Sequence, residues 1–568
     1  MSDKICDLYT ALGEELGESV WQEYPRPQLK RNSYLNLNGK WDFAAKKGKQ
    51  FPRQYTESIL VPFCPESLLS GIHAHYGEDL YLFYRRNVSL PAGFLKGRLL
   101  LHFGAVDQQV EVFVNGRIVG KHIGGYNAFY LDITDDCAQE MTLTLRIKDD
   151  LRDKTLPYGK QCLNRGGMWY TPVSGVWQSV WMESVPEKYI QDMKIDVTLE
   201  EATVTLTPAL NGTAIFEGKE QPVVEGKVTL RPQVCENWTP ENPKLYSFTI
   251  RCGEDTVDSY FALRTLETKT VNGIPRLCLN GKPYFFHGVL DQGYWPDGIY
   301  TPASEKAFEQ DILEMKKLGF NTLRKHIKVE PEAFYYACDR LGMIVFQDMV
   351  NNSKYRFLRD TILPTIGIQQ KNDIHSHNKI ASRKAFYACM DATVAQLKNH
   401  PCICYWTIFN EGWGQFCSDA AYERLKVMDD SRFIDTTSGW FRGASTDVES
   451  LHIYFGSFNK LQPCDKPLVL SECGGYIYPV EDHVFCPSKA YGYRKCNDLD
   501  KFRSDLESLY RDKILPAAQR GLCACILTQI SDVEEEINGL LTYDRKVCKA
   551  DVQNMLHLAG ELKKTAEE

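Results

Sequence analysis

The sequence predicts a multidomain fold in which two β-sandwich domains precede a barrel of alternating strands and helices. The chain has 568 residues, too many for one hydrophobic core, since a domain averages roughly 150 residues. Short alternating strands separated by Gly, Pro and Asn occupy the part of the chain up to about residue 267. Beyond about residue 270, short apolar runs alternate with helical segments, which predicts an α/β domain.

The first two domains are predicted from strands with alternating apolar and polar residues. In 1–185, Val110–Val114 is such a strand, and the turn pair Asn115-Gly116 follows it. Asn-Gly favours a tight hairpin turn, so this region is typical of a β-sandwich. In 186–268, runs such as Ala202–Leu206 are too few for anything larger than a small sandwich of about seven strands.

The third domain, 269–568, is predicted to be a (β/α)₈ TIM barrel. Thr301-Pro302 opens a helix that carries Phe308, Ile312 and Met315 on one face. A second long helix is expected at 384–398. The predicted strands are 284–289, 321–324, 343–347, 402–409, 434–437, 451–454, 468–471 and 523–528. Eight α/β units over roughly 300 residues are what this barrel requires.

Composition excludes several classes of protein. A net charge of −8 and a pI near 5.9 argue against a nucleic-acid partner, which would need a basic face. No apolar run approaches the roughly 20 residues of a membrane span.

The segment Met1–Asp7 lacks the features of a secretory signal, so we expect a cytoplasmic protein. The 19 cysteines lack C-x-x-C spacing and are interpreted as reduced core thiols, with no metal and no cofactor expected.

Two predicted barrel strands end in a carboxylate. The run 403–409 leads into Asn410 and Glu411, and the run 467–471 leads into Glu472; glycines follow both. Active sites of TIM barrels lie at the carboxyl ends of the strands. Hydrolysis of a glycoside with retention needs two carboxyl groups about 5–5.5 Å apart, one as acid/base and one as nucleophile. The pair therefore predicts a retaining glycosidase, although either Glu alone could simply cap a strand or pair with an Arg.

Other polar residues at strand ends are candidates for substrate contact. Asn410 can hydrogen-bond the 2-hydroxyl of the sugar, and Tyr454 and Arg324 can keep the nucleophile ionised. The same expectation covers six further residues in or after predicted strands, namely His287, His452, Trp295, Asp297, Trp440 and Gln529. Two other functions stay open: a carbohydrate-binding protein without activity, and a metal hydrolase, although the histidines lack paired spacing.

The chain resembles glycoside hydrolase family 2, which includes β-galactosidases, β-glucuronidases and β-mannosidases. The resemblance covers nearly the whole chain and rests on ordered motifs, among them Pro25-Arg26-Pro27, Leu37–Phe43, Tyr84–Arg86, Gly124–Tyr126, Ser174–Gln178, Trp238–Tyr246, Leu279–Lys282, His287-Gly288, Asn321–Arg324, Asn410-Glu411 and Ser471-Glu472. It implies a sugar-binding jelly-roll domain at 1–185 and an immunoglobulin-like β-sandwich at 186–268. It also implies Glu411 as acid/base and Glu472 as nucleophile of an exo-acting β-glycosidase.

Departures from the family pattern concern the sugar. The Asn-x-Lys with which β-glucuronidases grip the uronate carboxylate is matched by Asn538-Gly539-Leu540, so the Lys is missing. Gly166-Gly167 stand where many members have an acidic residue that reaches the sugar. We therefore expect a neutral substrate, nominally a β-galactoside, unless Arg356, Arg359 or Lys371 supplies a cation; a β-glucuronidase is the alternative. The expected partner is a small carbohydrate or glycoconjugate, with a homo-oligomer left open.

Overall fold

The computed structural model describes residues 5–363, 372–439 and 445–567. Several antiparallel β-sheets precede a parallel eight-stranded barrel, so the predicted multidomain fold of β-sandwiches and a TIM barrel is confirmed. Within those three ranges, no helix is both long and apolar enough to cross a membrane.

The N-terminal part forms a β-sandwich. A sheet of order β3-β2-β4-β10-β7-β8 faces one of order β1-β12-β5-β9, and their buried residues make one core. Its strands are β1 Tyr34–Asn36, β2 Gly39–Lys47, β3 Glu57–Val61, β4 Leu80–Ser89, β5 Arg98–Phe103, β6 Val106–Asp107, β7 Gln109–Val114, β8 Arg117–Ile123, β9 Phe129–Asp132, β10 Glu140–Lys148, β11 Gly175–Val176 and β12 Val180–Val185.

A smaller sandwich follows and has its own core. A three-stranded sheet, β13-β14-β17, packs against a four-stranded sheet, β16-β15-β18-β19. Its strands are β13 Asp192–Val197, β14 Ala202–Thr207, β15 Gly212–Phe216, β16 Lys219–Val223, β17 Lys227–Leu230, β18 Tyr246–Cys252 and β19 Asp255–Phe261. A separate sheet leads into the barrel and consists of β20 Leu266–Val271, β21 Ile274–Leu279 and β22 Lys282–Pro283.

The barrel strands are parallel and fully or almost fully buried, as expected when helices cover the outer face. They are β23 Phe286–Asp291, β24 Thr322–Lys325, β25 Ile344–Asp348, β26 Ile403–Asn410, β27 Phe433–Ser438, β28 Glu449–Ile453, β29 Leu468–Gly474 and β32 Leu522–Thr528. Their order is β27-β26-β25-β24-β23-β32-β29-β28. The two ends of this order meet at Ser438 and Ser450, whose hydroxyl oxygens are 3.3 Å apart. All eight predicted strands are present.

Eight helices accompany these strands. They are α1 Ala11–Glu14, α2 Lys306–Lys317, α3 Glu332–Leu341, α4 Ile380–Leu397, α5 Ser418–Met428, α6 Leu499–Leu509, α7 Leu515–Gln519 and α8 Val552–Glu567, counted within the described ranges. Helix α2 buries Phe308, Ile312 and Met315, as its spacing predicted. A short sheet of β30 Tyr476–Ile477 and β31 Arg494–Lys495 lies in the connection after β29.

The N-terminal sandwich contributes a segment to the mouth of the barrel. The backbone N–H of Tyr158 donates to the carbonyl of Asn351, just beyond β25, at 3.1 Å. Further along, the N–H of Thr171 donates to Glu534, in the loop after β32, at 2.8 Å. These contacts place residues 158–171 over the carboxyl ends of barrel strands, where a TIM barrel carries its active site.

Candidate active site

Glu411 stands at the carboxyl end of β26. The whole of this strand is buried, and Glu411 follows its last residue, at the mouth of the barrel. Glu411 itself has a φ of +53°, a left-handed conformation that costs a residue with a side chain about 1–3 kcal/mol. Its N–H donates to the carbonyl of Ser438 at 2.8 Å, which anchors this turn to the neighbouring strand. The backbone thus holds the carboxylate in one orientation.

Glu472 lies within β29 and is held by a cation and a phenol. An Arg324 guanidinium N–H donates to its Oε1 at 3.0 Å, and the Tyr454 hydroxyl donates to its Oε2. Burial raises the pKa of Glu472, but the neighbouring His452, Arg324 and His326 and the Tyr454 hydroxyl outweigh burial and bring it to about 2. This carboxylate is therefore ionised at neutral pH.

The two carboxylates face each other across a short gap. One oxygen of Glu411, one oxygen of Glu472 and one ring nitrogen of His452 all lie within 4.8 Å of one another. Retaining glycosidases hold their carboxyl groups about 5–5.5 Å apart, whereas inverting enzymes need about 6.5–9.5 Å to admit a water. The spacing favours direct attack by one carboxylate. The side chains are 14% and 6% exposed, so Glu411 is the more accessible of the two.

His452, predicted to contact substrate, lies between the two carboxylates. Its Nδ1 is 2.8 Å from Oε1 of Glu411, and its Nε2 is 3.6 Å from Oε1 of Glu472. The Ser438 hydroxyl also lies 3.1 Å from Nε2 of His452. His452 is buried. It orients Glu411 through Nδ1 and adds to the electrostatic field at Glu472 through Nε2.

Arg324 joins several groups into one network. Besides Glu472, it donates to Asp348 at 3.0 Å and to the amide oxygen of Asn410 at 2.9 Å. His326 Nδ1 is in turn 2.7 Å from the other Asp348 oxygen. Arg324 holds the oxygen of Asn410, and the amide N–H₂ of Asn410 donates to no other described residue. Asp348 was not predicted, although it ends an apolar strand in the same way as Glu472 does.

Aromatic rings border the carboxylates. Tyr493 stacks on Tyr454 with centroids 3.8 Å apart and planes inclined by 20°. On another side, Trp169 of the N-terminal sandwich lies 5.1 Å from Trp413 and 5.0 Å from Tyr355, both edge to face. None of Tyr493, Trp413 and Trp169 was predicted as a site residue, because aromatic residues also fill cores.

Three predicted contacts lie elsewhere, and those predictions are wrong. His287 points out of the barrel: its Nε2 is 2.7 Å from the Tyr510 hydroxyl and its Nδ1 is 3.0 Å from the Gly319 carbonyl. Asp297 accepts from the N–H and the hydroxyl of Thr10 and so fastens the N-terminal segment. Trp295 packs against Phe308 and under Arg545. All three are buried structural residues.

Gln529 and Trp440 complete the predicted set. Gln529 is fully buried directly after β32, and its amide donates to Asn538 at 2.8 Å. Asn538 donates to Glu536 at 3.0 Å, so Gln529 supports the loop after β32, and its predicted contact with the sugar stays a prediction. Trp440 lies outside the described residues.

The Glu411, His452 and Glu472 group is also the one set of metal-ligating side chains that meets at such short range in the described part of the chain. However, both oxygens of Glu472 already accept hydrogen bonds, from Arg324 and from Tyr454. A guanidinium at 3.0 Å supplies the positive charge that a metal would otherwise provide. The donors present therefore fit paired carboxylates better than a metal centre.

Comparison with known proteins points to one family. Residues 271–471 match the family model for the TIM barrel domain of glycosyl hydrolases family 2. A β-galactosidase of Thermoanaerobacter pseudethanolicus is 23% identical over 79% of this chain, which spans 62% of that enzyme. The human β-glucuronidase is 24% identical over 79% of this chain and 75% of its own length.

Solved structures share the fold over nearly the entire chain. A β-galacturonidase from Eisenbergiella tayi has a TM-score of 0.68 and 18% identity, covering 96% of this chain and 99% of its own. A β-glucuronidase from Dictyoglomus thermophilum has a TM-score of 0.70 and 17% identity, covering 96% and 98%. The barrel model and the curated relatives agree on glycoside hydrolase family 2, which residues 271–471 of the chain match.

Proposed function

We propose that the protein is a retaining, exo-acting β-glycosidase with Glu472 as nucleophile and Glu411 as general acid/base. The approach of the two carboxylates, with oxygens within 4.8 Å, is the observation that carries this proposal. Their surroundings separate the two roles. Glu472 is surrounded by Arg324, Tyr454 and His452, which favour its ionised form, whereas the ion-pair partner of Glu411 is His452 alone among the described residues.

The reaction proceeds by double displacement. Glu472 attacks the anomeric carbon as Glu411 protonates the departing glycosidic oxygen, so a glycosyl ester forms and the aglycone leaves as an alcohol. Glu411, now ionised, takes a proton from water, and the resulting hydroxide displaces Glu472 from the anomeric carbon. The sugar leaves with its original β configuration, and both carboxyl groups return to their starting states.

Hydrolysis of nitrophenyl β-glycosides, followed by proton NMR of the first sugar released, tests this proposal. We expect turnover of at least one β-hexoside or β-hexuronide and release of the β anomer before mutarotation, because two inversions restore the configuration. Release of the α anomer would contradict the double displacement. A lack of turnover on every β-glycoside of the panel would contradict the activity itself.

The pH dependence of Tyr454→Phe tests how the nucleophile is kept ionised. Removing the hydroxyl removes one group that lowers the pKa of Glu472, so that pKa should rise from about 2. A hydrogen bond to a charged group contributes about 1.5–3 kcal/mol, which corresponds to roughly one unit or more. Because only the ionised form attacks, the acid limb of kcat/KM should move to higher pH. Tyr476→Phe, outside this network, is the control; equal profiles for all three proteins would show that Tyr454 has no such role.

The identity of the sugar is a separate question. The replacement of the family Lys by Leu540 favours a neutral sugar, nominally a β-galactoside, and Leu540 is buried. The relatives include enzymes named β-galactosidase and β-glucuronidase at nearly equal identity, so they support both substrates equally. The position of one cation outside the barrel, Lys160 of the N-terminal sandwich, favours a uronide.

A further inference from the structure

Lys160 is a largely buried lysine whose ammonium contacts no counter-charge among the described residues. It belongs to the segment 158–171 of the N-terminal sandwich and is 9% exposed. Within the described chain, its ammonium takes part in no hydrogen bond and no ion pair, and it lies 5.6 Å from the centroid of the Trp169 ring. Most of the side chain is enclosed, but the ammonium keeps some access to solvent, so a ligand can reach it. An accessible ammonium with no counter-charge in direct contact can bind an anion from outside the chain.

The backbone fixes Lys160 over the mouth of the barrel. The preceding Gly159 donates its N–H to the carbonyl of Asn351, beyond the end of β25, at 3.4 Å. A Cβ on Gly159 would stand 3.0 Å from the carbonyl of Ile327, beyond the end of β24, and its φ of +59° also favours glycine. The carbonyl of Lys160 accepts from the N–H of Tyr170 at 3.0 Å. Lys160 is thus held between the ends of adjacent barrel strands.

The partners of Tyr170 connect Lys160 to the loop that follows β32. The Tyr170 hydroxyl donates to Glu536, and Asn538 donates to the other oxygen of Glu536 at 3.0 Å. Burial raises the pKa of Glu536, which the Lys160 charge opposes and the Glu472 charge reinforces. The charges of Lys160 and Glu472 also act on the pKa of His326, which Lys160 lowers and Glu472 raises. Lys160 therefore shares one electrostatic environment with the nucleophile.

Three other cations were expected to bind a sugar carboxylate, namely Arg356, Arg359 and Lys371. None of them is seen to be available at the barrel mouth in the described part of the chain. Arg359 pairs with Asp360 at 2.6 Å and also contacts His377. Arg356 is exposed, and Lys371 lies outside the described residues. Asn538 and Leu540, which occupy the positions of the family Asn-x-Lys, are both buried, and Asn538 is bound to its neighbours.

We propose that the ammonium of Lys160 binds a carboxylate on the terminal sugar, so that the substrate class is a β-linked hexuronide. This inference rests on the proposed glycosidase function and refines it. An ammonium and a carboxylate form charge-assisted hydrogen bonds, and the enclosed position beside Trp169 strengthens them. A residue of the sandwich takes over the part that the missing barrel Lys plays in β-glucuronidases. The expectation of a neutral sugar, which rested on Leu540, is thereby replaced.

The test compares kcat/KM on nitrophenyl β-glucuronide, β-galacturonide, β-glucoside and β-galactoside for the wild-type chain and Lys160→Met. We expect the wild type to prefer one of the uronides over its neutral counterpart by a factor of about 10² or more, the scale set by an unmatched buried ionic group. Lys160→Met should lose about that factor on the uronide, and neutral sugars should change less than about threefold. Lys154→Met, whose ammonium also lies over a ring of the same domain, is the matched control and should keep the wild-type preference.

Binding separates recognition from turnover. In the Glu472→Gln background, calorimetry with free glucuronic and galacturonic acids should show a Kd that rises at least tenfold when Lys160→Met is added, while the Tm of the two proteins stays similar. Equal losses on charged and neutral substrates, or unchanged binding of both acids, would overturn the role of Lys160 and leave the glycosidase intact. A wild type that hydrolyses neutral hexosides better than uronides would overturn it as well. Inactivity on every substrate would instead refute the proposed function.

Discussion

Glu472→Gln is expected to lower kcat by roughly 10⁴-fold or more with the fold retained. A neutral amide cannot form the glycosyl ester, and its carbonyl can still accept from one of the two donors that hold the carboxylate, Arg324 and Tyr454. A 2-deoxy-2-fluoro glycoside with a good leaving group should label Glu472 in the wild type, and peptide mass spectrometry would locate the adduct. The variant should remain unlabelled.

Glu183→Gln is the matched control for this variant. Glu183 is equally buried and pairs with Arg31 at 3.0 Å, but it lies in the N-terminal sandwich. Its loss should lower Tm and leave kcat of the folded protein near the wild-type value. An adduct on another carboxylate, or near-normal turnover by Glu472→Gln, would show that the nucleophile has been assigned to the wrong residue.

Glu411→Ala should affect the two chemical steps unequally. With a dinitrophenyl leaving group the first step needs little acid assistance, so the glycosyl ester should still form, but its hydrolysis should slow by roughly 10²–10⁴-fold without a general base. Azide needs no deprotonation and should restore turnover, giving a β-glycosyl azide. The cavity left by the shortened side chain gives the azide room beside His452.

The stereochemistry of that product is decisive. A β-azide requires attack on an intermediate whose configuration has already been inverted once by Glu472. Formation of an α-azide would mean direct displacement on the substrate. Failure of azide and of acetate to restore any activity, with the variant folded by circular dichroism, would remove Glu411 from the role of acid/base.

The architecture of the barrel and the carboxylate pair could be predicted from the sequence because each depends on local patterns. Eight apolar runs separated by helical segments define a TIM barrel, and parallel strands bring their carboxyl ends to one face. Glu411 and Glu472 each follow such a run directly, so their meeting follows from strand order without any knowledge of packing. Arg324 and Tyr454 reach the site for the same reason.

Local patterns could not predict every site residue. They do not show to which side of a strand a side chain points, or which path a loop takes. Phe286 and His287 are adjacent in β23, and successive side chains point to opposite sides of a strand. Phe286 packs inside the barrel against Phe346, which sends His287 outward to Tyr510. Because both sides of a barrel strand are buried, the apolar pattern does not reveal which side is which.

The sequence by itself determined the order of the domains, the eight strands and the two carboxylates, since all of these follow from periodicity and from what stands at a strand end. The tertiary structure alone decided which groups surround the pair. His452 lies between the carboxylates because β28 and β29 are neighbours, and Lys160 reaches the barrel from a domain more than a hundred residues earlier in the chain. Such contacts form where a segment of one domain packs on another, so no local pattern in the sequence predicts them.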